Sequence, residues 1–282
     1  MEMKRTILVT GCSSGIGLCV AQGLQKRGYR VFATARKMED VSKLREKGLE
    51  SLPLDLDNST SIQAAVTEIL TLSNGELYAL FNNGAYAQPG AVEDLSRDAL
   101  RASFETNLFG WQELTNLIIP VMRQQGYGRI IQNSSILGMI PMSYRGAYVA
   151  TKFALEGLSS SLRLELADTN IHVSLIEPGP IESRIRPNSM IAFQKYINVE
   201  NSVHKERYLS VLKRLNKEGP VMRFTLPPDA VLKRVIHALE NRKPKIRYYV
   251  TTPTYIAELL RRVLSYRMID RVLVAASGGG KR

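Results

Sequence analysis

The sequence predicts a doubly wound α/β fold, a parallel sheet with helices on both faces. Two observations carry that expectation: short apolar runs one strand long, and longer segments between them in which apolar residues recur every three or four positions. Parallel strands need crossovers, and right-handed crossovers place helices over both faces of the sheet.

The elements follow in order. Strands are expected at 6–10 (TILVT), 30–35 (RVFATA), 51–54 (SLPL), 77–81, 129–134 (RIIQNS) and 171–176 (IHVSLI). Between them, Ile16, Val20 and Leu24 predict a helix over 15–28. Ile62, Val66, Ile69 and Leu70 predict one over 60–73, and Leu155, Leu158, Leu162 and Leu166 one over 148–167. The alternation breaks after Pro178. Residues 184–225 hold two amphipathic pieces, MIAFQKYI and YLSVLKRL. In the second, Tyr208, Val211, Leu212 and Leu215 share one face, while Lys213 and Arg214 lie on the other. They read as inserted helices that bind substrate. A helix over 229–240 follows Pro227 and Pro228, then IRYYV as a last strand and TYIAELLRRVLSYRMIDRVL as one final helical stretch. Without an internal repeat or linker, 1–282 is expected to be a single domain with a flexible tail at 276–282.

Composition narrows the class. With 282 residues, 44% hydrophobic and 23% charged, the chain has the make-up of a soluble globular protein. It shows no apolar run of roughly 20 residues and no signal peptide, so a cytoplasmic location is expected. Cys12 and Cys19 are spaced neither as CxxC nor as a zinc site, and His172, His204 and His237 are scattered, so no metal is expected. No GxSxG elbow supports hydrolase chemistry. The net charge of +12 is uneven: Lys plus Arg against Asp plus Glu is 17 to 19 over 1–183, and 21 to 7 over 184–282. That excess suits a solvated surface or an anionic partner.

Four motifs carry chemistry. In TGCSSGIG, a strand delivers Thr10, and Gly11, Ser13, Ser14, Gly15, Ile16 and Gly17 lead straight into a helix. Glycine lets the backbone approach a pyrophosphate, and a helix N-terminus offers free N–H groups to it. The spacing, GxxxGxG, is not the usual GxGxxG. The second strand ends in Arg36 and Lys37, where an acidic residue would bind a ribose 2′-hydroxyl; cations there favour NADP over NAD. Tyr148 and Lys152 stand four residues apart on one helix, so an ammonium beside the phenol would lower its pKa and fit it for proton transfer. Ser135 closes the strand RIIQNSS, with Ser134 as its competitor and Asn107 completing the polar set.

Taken together, from Thr6 to Ser183, these motifs resemble the short-chain dehydrogenase/reductase family: TGxxxGIG, an NNAG-like turn, Asn, Ser, YxxxK and a PG turn. The resemblance implies that Tyr148 is the acid–base and that Lys152 lowers its pKa and binds the nicotinamide ribose. Ser135 would hold the substrate oxygen, and Asn107 would order a water. It further implies that NADP(H) meets Asp55 and Leu56 at the adenine, Asn83 and Gly84 at the ribose, and Pro178, Gly179, Ile181 and Ser183 at the nicotinamide. Two departures stand out: NNGA replaces NNAG at 82–85, and Ser183 stands where a Thr is common.

Ile136, Met139, Ile140, Met142, Tyr144, Met190, Ile191 and Phe193 are expected to line an adaptable apolar substrate pocket. The long insertion is similar to that of 17β-hydroxysteroid and retinol dehydrogenases and bacterial aldehyde reductases. It implies a lipophilic aldehyde, ketone or alcohol as substrate; an NADP enzyme in a reducing cytoplasm is expected to run mainly as a reductase, and the family resemblance implies a homo-oligomer, a dimer or tetramer. Two alternatives remain open: a cofactor-binding regulator without turnover, and a protein that touches a membrane surface. For the second, Arg261, Arg262, Arg267 and Arg271 flank Leu259, Leu260, Val263 and Leu264. No nucleic-acid partner is expected.

Overall fold

The computed structural model describes residues 5–217, 219 and 223–276. In chain order the elements are β1 (Thr6–Val9), α1 (Gly15–Lys26), β2 (Arg30–Ala35), α2 (Met38–Glu46), β3 (Glu50–Pro53), α3 (Ser59–Leu72), β4 (Ala79–Asn82) and α4 (Arg97–Phe104). A π-helical turn, Glu105–Phe109, joins α4 to α5 (Gly110–Gln125). There follow β5 (Gly128–Asn133), α6 (Gly146–Glu165), β6 (Ile171–Glu177), α7 (Ile185–Tyr196), α8 (Lys205–Asn216), α9 (Asp229–Glu240), β7 (Arg247–Tyr249), α10 (Thr252–Val263) and α11 (Tyr266–Ala276). The tail expected after Ala276 lies outside the described residues.

Among the described residues the strands form one seven-stranded sheet, in the order β3-β2-β1-β4-β5-β6-β7, and every pair is parallel. Alternation within each strand sorts the two cores. Ile7, Val9, Val31, Ala33 and Phe81 bury one face against Val20 and Leu24 of α1 and Val231 and Val235 of α9. Leu8, Phe32, Leu80 and Ile130 bury the other against Ile62 of α3, Trp111 and Ile118 of α5 and Leu155 of α6. The chain reverses its winding direction between β1 and β4, which opens a crevice at their carboxyl ends.

The structure departs from the expected elements in three places. Helix α2 has no apolar periodicity to announce it, since only Val41 and Leu44 of MEDVSKLRE are buried. The run from α4 to α5 is masked by the π turn and by Pro120 inside α5, which interrupts the backbone ladder. The final helical stretch is two helices: Leu264 turns to extended backbone, and the Ser265 carbonyl accepts the Met268 and Ile269 amides to start α11.

Helices α7 and α8 pack on each other through Phe193, Ile197, Tyr208 and Leu215, forming a small core of their own above the sheet ends. The Tyr208 hydroxyl anchors it by accepting from the Ala91 amide at 3.0 Å and donating to Asp94.

Gly110 sets how closely α5 approaches the loop after β3, because a Cβ there would stand 2.0 Å from the Leu56 carbonyl oxygen. Alanine would gain about 1 kcal/mol of helix propensity, but overpacking against backbone costs about 1–3 kcal/mol. Gly110→Ala is therefore expected to lower the midpoint of a thermal melt. A midpoint equal to or above wild type would refute this reading of the contact.

Candidate active site

The ends of β1, β4 and β5 are tied together before any ligand is considered. The Thr10 hydroxyl accepts the Asn83 and Gly84 amides at 2.8 and 2.9 Å, and the Asn83 amide group donates to the carbonyls of Thr10 and Gly11 at 2.9 and 3.2 Å. Asn133 completes the knot by donating to Asn83 Oδ1 at 2.9 Å. The turn after β1 then needs glycine twice. Gly11 and Gly15 have φ of 68° and 56°, and a Cβ on Gly11 would stand 2.5 Å from the Gly84 Cα. Gly84 is thus placed where bulk would strike the turn, which gives the NNGA order a packing reason.

Helix α1 begins in this turn with Ser14 as N-cap, yet no side chain caps it and no acid stands in its first turn. Free N–H groups and the positive end of the helix dipole therefore face the crevice, as a pyrophosphate requires. The dinucleotide fits these residues.

A cavity of about 700 Å³ runs from this turn across the strand ends. Of the residues expected at the cofactor, Gly11, Ser13, Ser14, Gly15, Ile16, Asn83, Gly84, Pro178, Gly179, Ile181 and Ser183 line it, together with Ser135, Tyr148 and Lys152. Gly17 does not; a Cβ there would stand 2.2 Å from the Gly11 carbonyl oxygen, so its place is to seat α1 on the turn. Asp55, Leu56 and Asn107 also lie off the wall. Asn107 is fully buried in the π turn, with its side-chain amide bonded to the Tyr86 backbone and to Thr151, so its side chain is a brace. Arg36 and Lys37 are exposed beyond the end of β2, whose Thr34 carbonyl accepts the Cys12 amide at 2.8 Å. They stand beside the turn, outside the cavity wall.

Ser134 and Ser135 both line the cavity and differ in their partners. Ser134 donates to Glu156 at 2.5 Å, whereas Ser135 accepts the Leu137 amide at 3.1 Å and turns its hydroxyl to Tyr148. The Lys152 ammonium is 1% exposed, donates to the Asn133 carbonyl at 2.8 Å and lies 4.2 Å from the centre of the Trp111 ring.

The expected electrostatics needs correction. Burial pushes the Tyr148 phenol up to about 12, against smaller lowering influences from the Ser135 hydrogen bond and the Arg145 charge. Burial pushes Lys152 down to about 7, with Glu156 opposing. Behind Lys152 lies a buried charge cluster that the motifs did not reveal. Arg247 on β7 bridges Glu156 of α6 at 2.6 Å and Glu177 of β6 at 2.5 Å. Two carboxylates share one guanidinium there, and burial raises Glu177 to about 8.

The substrate wall is also corrected. Ile136, Ile140 and Met142 line the cavity, but Met139, Tyr144, Met190, Ile191 and Phe193 do not. Tyr144, Met190 and Phe193 belong to the α7–α8 core, Met139 is buried away from the wall, and Ile191 is exposed. Arg145, Arg186 and Arg214 line it in their place, so Arg214 is not on a solvated face. Arg145 was legible in principle, being three residues before Tyr148 at helical spacing.

Comparison with known proteins agrees with this geometry. The profile of the short chain dehydrogenase family matches residues 5–191. An uncharacterized oxidoreductase of Escherichia coli, YbbO, is 39% identical over 96% of this chain and 94% of its own. Human 17-beta-hydroxysteroid dehydrogenase type 1 is 30% identical over 88% of this chain and 78% of its own. The structure of an actinorhodin polyketide ketoreductase with NADPH superposes with a TM-score of 0.69 and 28% identity, over 88% of this chain and 95% of that one.

The charge cluster has a signature in stability. A carboxyl whose folded pKa is raised is favourable to folding below its unfolded value, and that contribution is lost as pH rises through the folded value. For Glu177 the window is from about 4.5 to about 8. Wild type is expected to lose more thermal stability between pH 5 and pH 8.5 than Glu177→Gln, the difference being about 2–6 °C. Parallel pH curves for the two proteins would show that Glu177 ionises normally.

Proposed function

Because this chain belongs to the short-chain dehydrogenase/reductase family, we propose that it is an NADP-dependent reductase of lipophilic carbonyl compounds, within a single domain whose helices α7 and α8 bound the substrate side. The observation that carries the reading is the convergence of Ser135, Tyr148 and Lys152 on the same cavity as the glycine turn.

The bound nicotinamide would supply the hydride. The chain's own residues do the rest. Ser135 and Tyr148 hold the carbonyl oxygen, and Tyr148 delivers a proton to it as charge develops there. The phenol is protonated at neutral pH and so carries the proton that the reduced carbonyl oxygen takes up. Lys152, held by Asn133 and Trp111, stands with its ammonium 5.7 Å from the Tyr148 ring centre, where it favours the phenolate left after transfer. Arg36 and Lys37, exposed at the end of β2 and bonded to no other side chain among the described residues, support a 2′-phosphate and hence NADP. The ketoreductase solved with NADPH supports the same choice.

A second reading concerns the C-terminal helices. Ile256, Leu259 and Val263 of α10 and Val274 of α11 are half or more exposed, with Arg261 and Arg262 beside them. We read this as a face for peripheral contact with an anionic membrane, compatible with a dimer or tetramer formed through other surfaces. Among the described residues no helix is long and apolar enough to cross a membrane.

Three measurements test these proposals. Tyr148→Phe should retain NADPH binding while turnover of aldehydes and ketones falls roughly 10²–10⁴-fold; undiminished turnover would remove Tyr148 from the chemistry. Arg36→Asp should weaken NADPH, relative to NADH, by roughly 10–100-fold in a binding titration, the worth of a charge-assisted hydrogen bond; an unchanged ratio would leave the cofactor choice unexplained by Arg36. Sedimentation with phosphatidylserine vesicles at low salt should carry the protein down and release it at high salt, whereas a protein that stays in the supernatant at low salt has no such face.

A further inference from the structure

The substrate side of the cavity is mixed in a way that a purely lipophilic ligand does not explain. Ile140, Met142 and Ile185 give it apolar walls, yet Arg145 and Arg214 line the same space. Arg145 stands where three groups meet. Desolvation and, to a lesser degree, the Arg214 charge push its guanidinium down to about 10, and its own charge favours the Tyr148 phenolate. No acid answers it. Among the described residues Arg145 has no ion pair and no side-chain hydrogen bond, whereas the half-buried Arg247 is held by both Glu156 and Glu177. Among the described residues the one acidic side chain on the cavity wall is Glu182, which is exposed and raises the pKa of neither Arg145 nor Tyr148. Arg145 is part-exposed on the cavity wall, so its guanidinium donors are open to an anion, and a charge-assisted pair there is stronger than a neutral hydrogen bond.

The position is built. Tyr144, the residue before Arg145, has φ of 61°, a left-handed backbone that a non-glycine residue adopts only when its surroundings hold it there. Those surroundings are visible. The Tyr144 carbonyl accepts the Gly90 amide at 3.1 Å, and its ring packs edge-on against Tyr208 and His204 in the α7–α8 core. The turn thus sends Tyr144 into the core and delivers Arg145 to the cavity, at the start of the helix that carries Tyr148. Arg186 is different, because its guanidinium donates to the Lys217 and Gly219 carbonyls and so braces the segment after α8.

We propose that the substrate bears an anionic group, of the sulfonate, phosphonate or carboxylate class, a short spacer away from the carbonyl held by Tyr148, and that Arg145 binds it with Arg214 alongside. The apolar remainder lies along Ile140, Met142 and Ile185. The proposal rests on the reductase reading of this cavity for the carbonyl, and on Arg145 alone for the anion.

The test uses two matched pairs of compounds. With NADPH, kcat/KM for 2-oxododecane-1-sulfonate is compared with that for 1-(methylsulfonyl)dodecan-2-one, which has the same shape without the charge. Wild type should favour the sulfonate by roughly 10–100-fold. The ratio should collapse toward one in Arg145→Gln and be partly kept in Arg145→Lys, with thermal melts confirming that each variant is folded. Equal values for the two ketones in wild type would overturn the proposal. The second pair, decane-1-sulfonate and 1-(methylsulfonyl)decane, is titrated calorimetrically into the NADP-loaded protein and requires no turnover. Binding of the sulfonate that weakens at least tenfold in Arg145→Gln supports the anion site even if no carbonyl is reduced, in which case only the reductase reading fails. Sulfonate binding that is absent, or indifferent to Arg145, refutes the site whatever the activity.

Discussion

Everything at the active centre depends on how closely two backbones meet. The turn after β1 and the end of β4 touch through Gly11 and Gly84, with no room for a single methyl group between them. Thr10 and Asn83 hold that approach with buried hydrogen bonds, and Asn133 extends the hold to β5. The consequence is geometric. The uncapped start of α1 and the hydroxyls at the end of β5 open on one cavity.

Burial is the second constraint, and it works against the catalytic charges. It keeps the Tyr148 phenol protonated and weakens the hold of Lys152 on its proton. The fold answers with Glu156 one turn beyond Lys152 and with charges brought from farther along the chain, Glu177 at the end of β6 and Arg247 at the last strand. A buried lysine beside a carboxylate pair bridged by one arginine keeps charge near the site while limiting the cost of removing it from water.

Much of this was legible in the sequence, for identifiable reasons. Strands buried on both faces read as apolar runs, and the glycine turn and the Tyr148–Lys152 spacing are local patterns that keep their meaning in isolation. What stayed hidden was non-local or overridden. Helix α2 forms although only Val41 and Leu44 are buried, because it is tethered between β2 and β3. The Lys152–Trp111 contact joins two helices 41 positions apart, and no pattern in either helix announces it. The substrate wall was misread for a related reason. Phe193 and Tyr144 look like pocket residues by composition, but they are needed for a core that α7 and α8 could not otherwise have, and that leaves the wall to arginines. The last helical stretch was read as one because its apolar spacing runs on past Leu264, while the backbone there does not.

The placement of Arg247 has a consequence for the order in which the protein becomes competent. During synthesis, Gly11, Ser135, Tyr148 and Lys152 have all emerged well before β7 exists. A nascent chain at that stage would have to bury Glu156 and Glu177 side by side with no cation between them. The carboxylates would repel or take up protons. Pairing of Arg247–Tyr249 with β6 is then the event that brings in the guanidinium these two carboxylates share.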